Sequence, residues 1–66
     1  MKGNVRKVFA DKGFGFIRGA DGKDYFFHRT AVQNVQTMDD VVEGDAVEFE
    51  EAEGPKGHFA EDVYVN

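Results

Sequence analysis

Short runs of alternating apolar and polar residues mark strands with one buried face. Asn4 to Phe9 predicts a first strand, and Phe14 to Arg18, bounded by Gly13 and Gly19, a second. Ala20-Asp21-Gly22-Lys23 holds the Asp-Gly pair of a tight hairpin turn, so Asp24 to Arg29 reads as the returning strand. Ala46 to Glu51 alternates Val47 and Phe49 against Glu48 and Glu50, and predicts a fourth strand. Glu53-Gly54-Pro55-Lys56-Gly57 is a turn, and His58 to Val65 is the last strand. Between Thr30 and Gly44, Val32, Val35, Met38 and Val42 recur at three- and four-residue steps, as on a helix. Asn34, Thr37 and several β-branched neighbours are mediocre helix formers. That segment is therefore expected to be a loop with at most a turn or two of helix. Five short strands in so small a chain favour a closed barrel, which leaves no sheet edge bare.

The same alternation sorts side chains between two faces. Phe14, Phe16 and Arg18 share one side of the second strand, and Gly15 and Ile17 the other. On the third strand Phe26 and His28 lie opposite Tyr25 and Phe27. An inward Phe14 and Phe16 would drag Arg18 into the core. An outward pair instead sends Ile17 in and lets Gly15 make room on the crowded inner side. The hairpin then sets Phe26 and His28 beside Phe14 and Phe16, bordered by Lys12 and Arg18. Exposed rings in such number need a reason. Nucleobases stack on them at about 1–3 kcal/mol each, whatever the base, while nearby cations hold the phosphates.

Composition narrows the function classes. The chain has 66 residues, enough for one domain over residues 1–66. Its small size leaves stability marginal. Cysteine is absent, so neither disulfides nor thiolate metal sites support the fold. No apolar run is long enough for a membrane span, and Met1-Lys2-Gly3-Asn4 lacks the apolar core of a signal peptide. A cytoplasmic location is expected. The net charge of −5 argues at first against a nucleic-acid partner. Its distribution argues otherwise. Arg6, Lys7, Lys12, Arg18, Lys23 and Arg29 fall in the first half, whereas acidic residues crowd from Asp39 to Glu53.

Two segments, Lys12-Gly13-Phe14-Gly15-Phe16-Ile17 and Tyr25-Phe26-Phe27-His28-Arg29, together resemble the two ribonucleoprotein motifs of the cold-shock domain family. The resemblance extends from Gly3-Asn4-Val5 through Glu43-Gly44-Asp45-Ala46-Val47 to Val63. RRM domains carry a first motif of this kind, but need more residues, two helices and the opposite motif order. The resemblance implies an all-β, five-stranded antiparallel OB-fold barrel that binds single-stranded RNA or DNA with low sequence selectivity. It also implies an RNA-chaperone role. Carried over by position, Phe14, Phe16, Phe26 and His28 match stacking residues. Lys12 and Asp24 match positions near the bound strand, and Lys56 a basic loop position.

Three departures stand out. The family's first-strand tryptophan is missing, for the chain has no Trp. An ungapped alignment puts Lys7 there and Val8 at the next aromatic. A one-residue gap puts Val8 there and keeps Phe9. Both alignments remain open. The aromatic after the family's histidine is Arg29, and nothing between Arg29 and Glu48 is aromatic. Lost rings imply a weaker binder. Arg29 and Lys7 compensate in part, since guanidinium stacks on bases and both attract phosphate. Three or four phosphate contacts give a slope of log K against log salt of about −2 to −3. His58 and Phe59, in a region where the family usually has no aromatics, are expected to be a local packing feature rather than an extension of the ring surface.

Catalysis is not expected. His28 and His58 are the only histidines that could serve as a general base, and no nucleophile–base pair or phosphate-cradling motif is present. No cofactor, metal or small-molecule substrate is expected, and the chain is expected to be a monomer. The competing reading is a protein-interaction barrel that offers the same aromatic face to a peptide or subunit.

Overall fold

The computed structural model describes residues 1–66. Five strands form it: β1 (Lys2–Phe9), β2 (Phe14–Gly19), β3 (Asp24–His28), β4 (Ala46–Gly54) and β5 (Gly57–Val65). They close into a barrel in the order β1-β2-β3-β5-β4, with β4 returning to β1. Closure pairs every strand on both sides and removes the edge that would invite aggregation. The expected five-stranded barrel is therefore present, with one difference. β3 and β5 meet in parallel, joined through Phe26 and Phe59, while every other pair is antiparallel.

The β2–β3 hairpin follows its sequence closely. Gly22 adopts a positive φ of 83°, which lets the Asp21-Gly22 turn close without strain. Asp21 Oδ1 accepts the Lys23 N–H at 3.1 Å and braces that turn. Phe14 then stands opposite His28, Phe16 opposite Phe26, and Arg18 opposite Asp24. Inward residues are the expected ones: Ile17, Tyr25 and Phe27 are buried with Val5, Val47 and Phe49 in a single core. Gly15 is buried too. A Cβ there would collide with the Lys7 carbonyl oxygen and lie 2.8 Å from the Phe27 ring.

β1 departs from simple alternation. Its register against β2 shifts between Val5 and Lys7, so Val5 pairs with Ile17 but Lys7 pairs with Phe16. A bulge of this kind leaves one residue unpaired and resets which side chains point out. Arg6 and Lys7 both face solvent, Val8 packs against the core, and Phe9 points out again.

The connection from Thr30 to Gly44 contains only two 3-10 helical turns, Arg29–Ala31 and Met38–Asp40. Val32 and Met38 are buried, as the apolar spacing suggests. Val42 is 57% exposed, and Val41 takes the inward place instead. The extended backbone after Asp40, not a helix, decides which valine turns in.

Candidate nucleic-acid interface

Outward residues of β1, β2 and β3 bring four phenyl rings together. Phe9 and Phe14 have ring centroids 5.1 Å apart, Phe14 and Phe26 5.5 Å, and Phe16 and Phe26 5.9 Å. Phe9 and Phe26 rank among the exposed large apolar residues, and Phe14 and Phe16 are half-buried by their neighbours. Centroid distances of 4.5–7 Å are those of rings in favourable offset or edge contact. The cluster therefore holds its own shape while one side of it faces water. His28 extends it beyond Phe14, its partner across the hairpin. The bulge in β1 puts Val8 inside, brings Phe9 to the rings and sets Lys7 across from Phe16.

His28 is anchored by its neighbour. Its Nδ1 accepts the Thr30 backbone N–H at 3.3 Å and lies 3.1 Å from the Thr30 hydroxyl. Accepting at Nδ1 assigns the neutral ring's proton to Nε2, which is left free to donate.

The cations fall into two groups. Arg18 Nε donates to Asp24 Oδ1 at 2.6 Å, and Arg6 Nε lies 3.8 Å from the same oxygen. The hydrogen bond from Arg18, reinforced by the charges of Arg18 and Arg6, holds the Asp24 carboxyl below the usual aspartate range. Asp24 thus lies at the edge of the ring face with its charge already matched. Lys7, Lys12, Arg29 and Lys56 are exposed and take part in no ion pair. Lys56 lies beside a groove that also touches Phe16, Phe26 and His28. Arg29 is placed differently. Its aliphatic stem lies over Gly13, and it borders a separate depression with Ala10, Thr30, Gln36 and Asp39. The structure therefore gathers Lys7, Phe9, Phe14, Phe16, Asp24, Phe26, His28 and Lys56 about one face. Lys12 sits on the turn between β1 and β2, and Arg29 lines a neighbouring surface.

The far side carries the opposite charge. Exposed Glu48, Glu50, Glu51 and Glu53 on β4, and Asp62 on β5, account for much of the acidic excess, while Glu61 borders the groove beside Phe26. Segregation of this kind lets an acidic molecule present one locally basic face to a polyanion and repel it from the other.

Two features of the site were not expected from the sequence. Arg6 lies 3.8 Å from Asp24 across the barrel wall, a pairing that depends on strand register. Phe59, expected to be a packing feature with His58, lines the same groove as Phe16 and Phe26. His58 does behave as expected: its ring lies 5.6 Å from Tyr25, and its Nδ1 lies 3.5 Å from Glu53.

Comparison with known proteins decides the family. The sequence pattern described as the 'Cold-shock' DNA-binding domain matches residues 1–66. The chain belongs to the cold-shock domain family. It is 47% identical over 64 residues to the cold shock-like protein CspE of Buchnera aphidicola, covering 96% of this chain and 91% of that one. Identity to CspE of Escherichia coli is 45% over 64 residues, with the same coverage. Identity to cold shock protein 2 of Lactiplantibacillus plantarum is 44% over 63 residues, covering 92% of this chain and 91% of the relative. This chain carries the aromatic hairpin and the closed barrel and contains no tryptophan.

Proposed function

We propose that this cold-shock domain binds single-stranded RNA or DNA by stacking unpaired bases on its outer phenyl rings. The observation that carries the reading is the cluster of Phe9, Phe14, Phe16 and Phe26 on the outer side of the barrel, with Phe9 and Phe26 exposed and Phe14 and Phe16 half-buried. Stacking is blind to base identity because every base presents a π-face, so selectivity is low. Lys7, Lys12, Arg29 and Lys56 attract the phosphates, and Nε2 of His28 adds a donor. Asp24 keeps Arg18 and Arg6 ordered at the margin of the face.

Binding of this type works only on unpaired bases, because a duplex hides their faces. The protein therefore shifts RNA toward open forms by binding them in preference, and acts as an RNA chaperone without catalysis. It acts as a monomer in the cytoplasm, and residues 1–66 suffice as one binding unit. Titration of labelled oligo-U and oligo-dT, set against a duplex of equal length, tests the reading. Binding to the single strands with little to the duplex is expected; equal affinity for both contradicts it.

A further inference from the structure

The rings of β2 and β3 do not end the apolar surface. A groove of about 790 Å³ runs from Phe16, Phe26 and His28 across the parallel seam to Phe59 and the Gly54–Gly57 turn. That volume lies within the roughly 300–1,000 Å³ of small-ligand sites. Phe26 and Phe59 are direct partners across the seam, so their side chains leave the barrel on the same side. Alternation on β5 agrees. Ala60 is buried, and His58 packs on the core phenol of Tyr25, so Phe59 between them faces outward. It is half-buried, as Phe14 and Phe16 are, yet it does not join their packed cluster. One edge of its ring lies on Gly54, where an added Cβ would sit 3.2 Å away. Gly54 thus provides a flat seat for the ring.

Charge orients whatever enters. Lys56 lines the groove and forms no ion pair, while Glu61 lines it as a carboxylate. A phosphate is drawn toward Lys56 and away from Glu61.

Resting on the stacking reading above, we propose that Phe59 forms an additional base-binding position. A nucleobase of the bound single strand enters the groove beside Phe26 and stacks on Phe59, and Lys56 takes the adjoining phosphate. The groove is continuous with the ring cluster, so a strand on that cluster extends into it by one more nucleotide. This position makes up for part of the stacking surface lost with the absent tryptophan and the absent loop aromatic.

The test is affinity for labelled oligo-dT strands of increasing length, measured with wild type, Phe59→Leu and Phe59→Trp. Leucine keeps apolar contact with Gly54 but has no π-face. Phe59→Leu is expected to lose about fivefold or more in affinity for strands long enough to reach the groove. It should match wild type on the shortest strand that still binds, and Phe59→Trp should hold or gain affinity on the long ones. Equal affinity of Phe59→Leu and wild type at every length overturns the proposal and leaves the stacking reading standing. Failure of wild type to bind any length overturns both. Should Phe59→Leu not fold, strands carrying 5-iodouracil at successive positions are cross-linked to wild type and mapped by mass spectrometry. Cross-links within Gly57–Ala60 support the proposal; cross-links confined to β2 and β3 overturn it.

Discussion

Phe16 and Phe26 stand directly opposite each other on β2 and β3, their rings edge to face with centroids 5.9 Å apart and outside the barrel. Next in sequence, Phe27 points the other way and is 1% exposed. Adjacent phenylalanines on one strand thus do different work, and truncation separates them. Phe27→Ala is expected to cost about 3–5 kcal/mol, close to the whole stability of so small a domain. Phe26→Ala loses ring contacts worth about 1 kcal/mol and stays folded. Urea denaturation followed by circular dichroism checks the order, and a reversed order contradicts the face assignment.

Gly15 is needed for close approach. Its missing side chain lets β1 and the Phe27 ring come together, and the colliding atom on β1 is a backbone oxygen that cannot rotate away. Gly15→Ala is expected to destabilise by about 1–3 kcal/mol, as overpacking does. A thermal midpoint equal to wild type would show that the backbone yields freely.

The hairpin hydrophobic pattern was readable because its contacts are local. Alternation from Phe14 to Arg18, the Asp21-Gly22 turn and the return from Asp24 fix both faces within one short stretch. Non-local features were not readable. The bulge near Arg6 is set by pairing against β2, and its only trace in the apolar pattern is the break in alternation at Arg6-Lys7 between Val5 and Val8. The parallel seam joins Phe26 to Phe59, residues far apart in sequence, and so the nearness of Phe59 to the rings stayed hidden. Arg18 was visible as a bordering cation, but its pairing with Asp24 depended on register. Val42 shared the spacing of the buried residues, and extended backbone turned Val41 inward in its place.

A buried phenol ties the hairpin turn to β4. Tyr25 Oη lies 2.6 Å from Asp21 Oδ2 and 2.9 Å from Glu51 Oε2. The hydrogen bond with Asp21, then burial and Glu51, raise the phenol above its ordinary range, and the same bond lowers the Asp21 carboxyl. A lowered carboxyl contributes stability in full above the unfolded aspartate value near 4, and loses it as pH falls through the folded value. A raised phenol contributes in full below the unfolded tyrosine value near 10, and loses it as pH climbs toward the folded one. Wild type is thus expected to lose stability on both sides of a plateau from about pH 4 to pH 10, and Tyr25→Phe to lose less on each side. Chemical denaturation across pH checks this. In Tyr64→Phe, where Tyr25 is the last tyrosine, tyrosinate absorbance should appear only above the ordinary range.

Four unpaired cations set the salt dependence: Lys7 and Lys56 at the ring face, Lys12 on the adjoining turn and Arg29 on the neighbouring surface. With about −0.7 per phosphate contact, the slope of log K against log salt is expected near −3 for a long single strand. Lys56→Gln should flatten it by about 0.7. Arg18→Gln should change it less, since that charge is already matched by Asp24. Equal effects of the two substitutions would mean that the Asp24 pair opens on binding.

Affinity for a short unpaired thymidine strand, compared among wild type, Phe16→Ala and Phe26→Ala at one fixed salt concentration, goes to the centre of the account. Each truncation is expected to weaken binding by about fivefold to a hundredfold while the far-ultraviolet circular dichroism stays that of the folded barrel. Unchanged affinity in both folded variants would contradict the claim that bases stack on these rings.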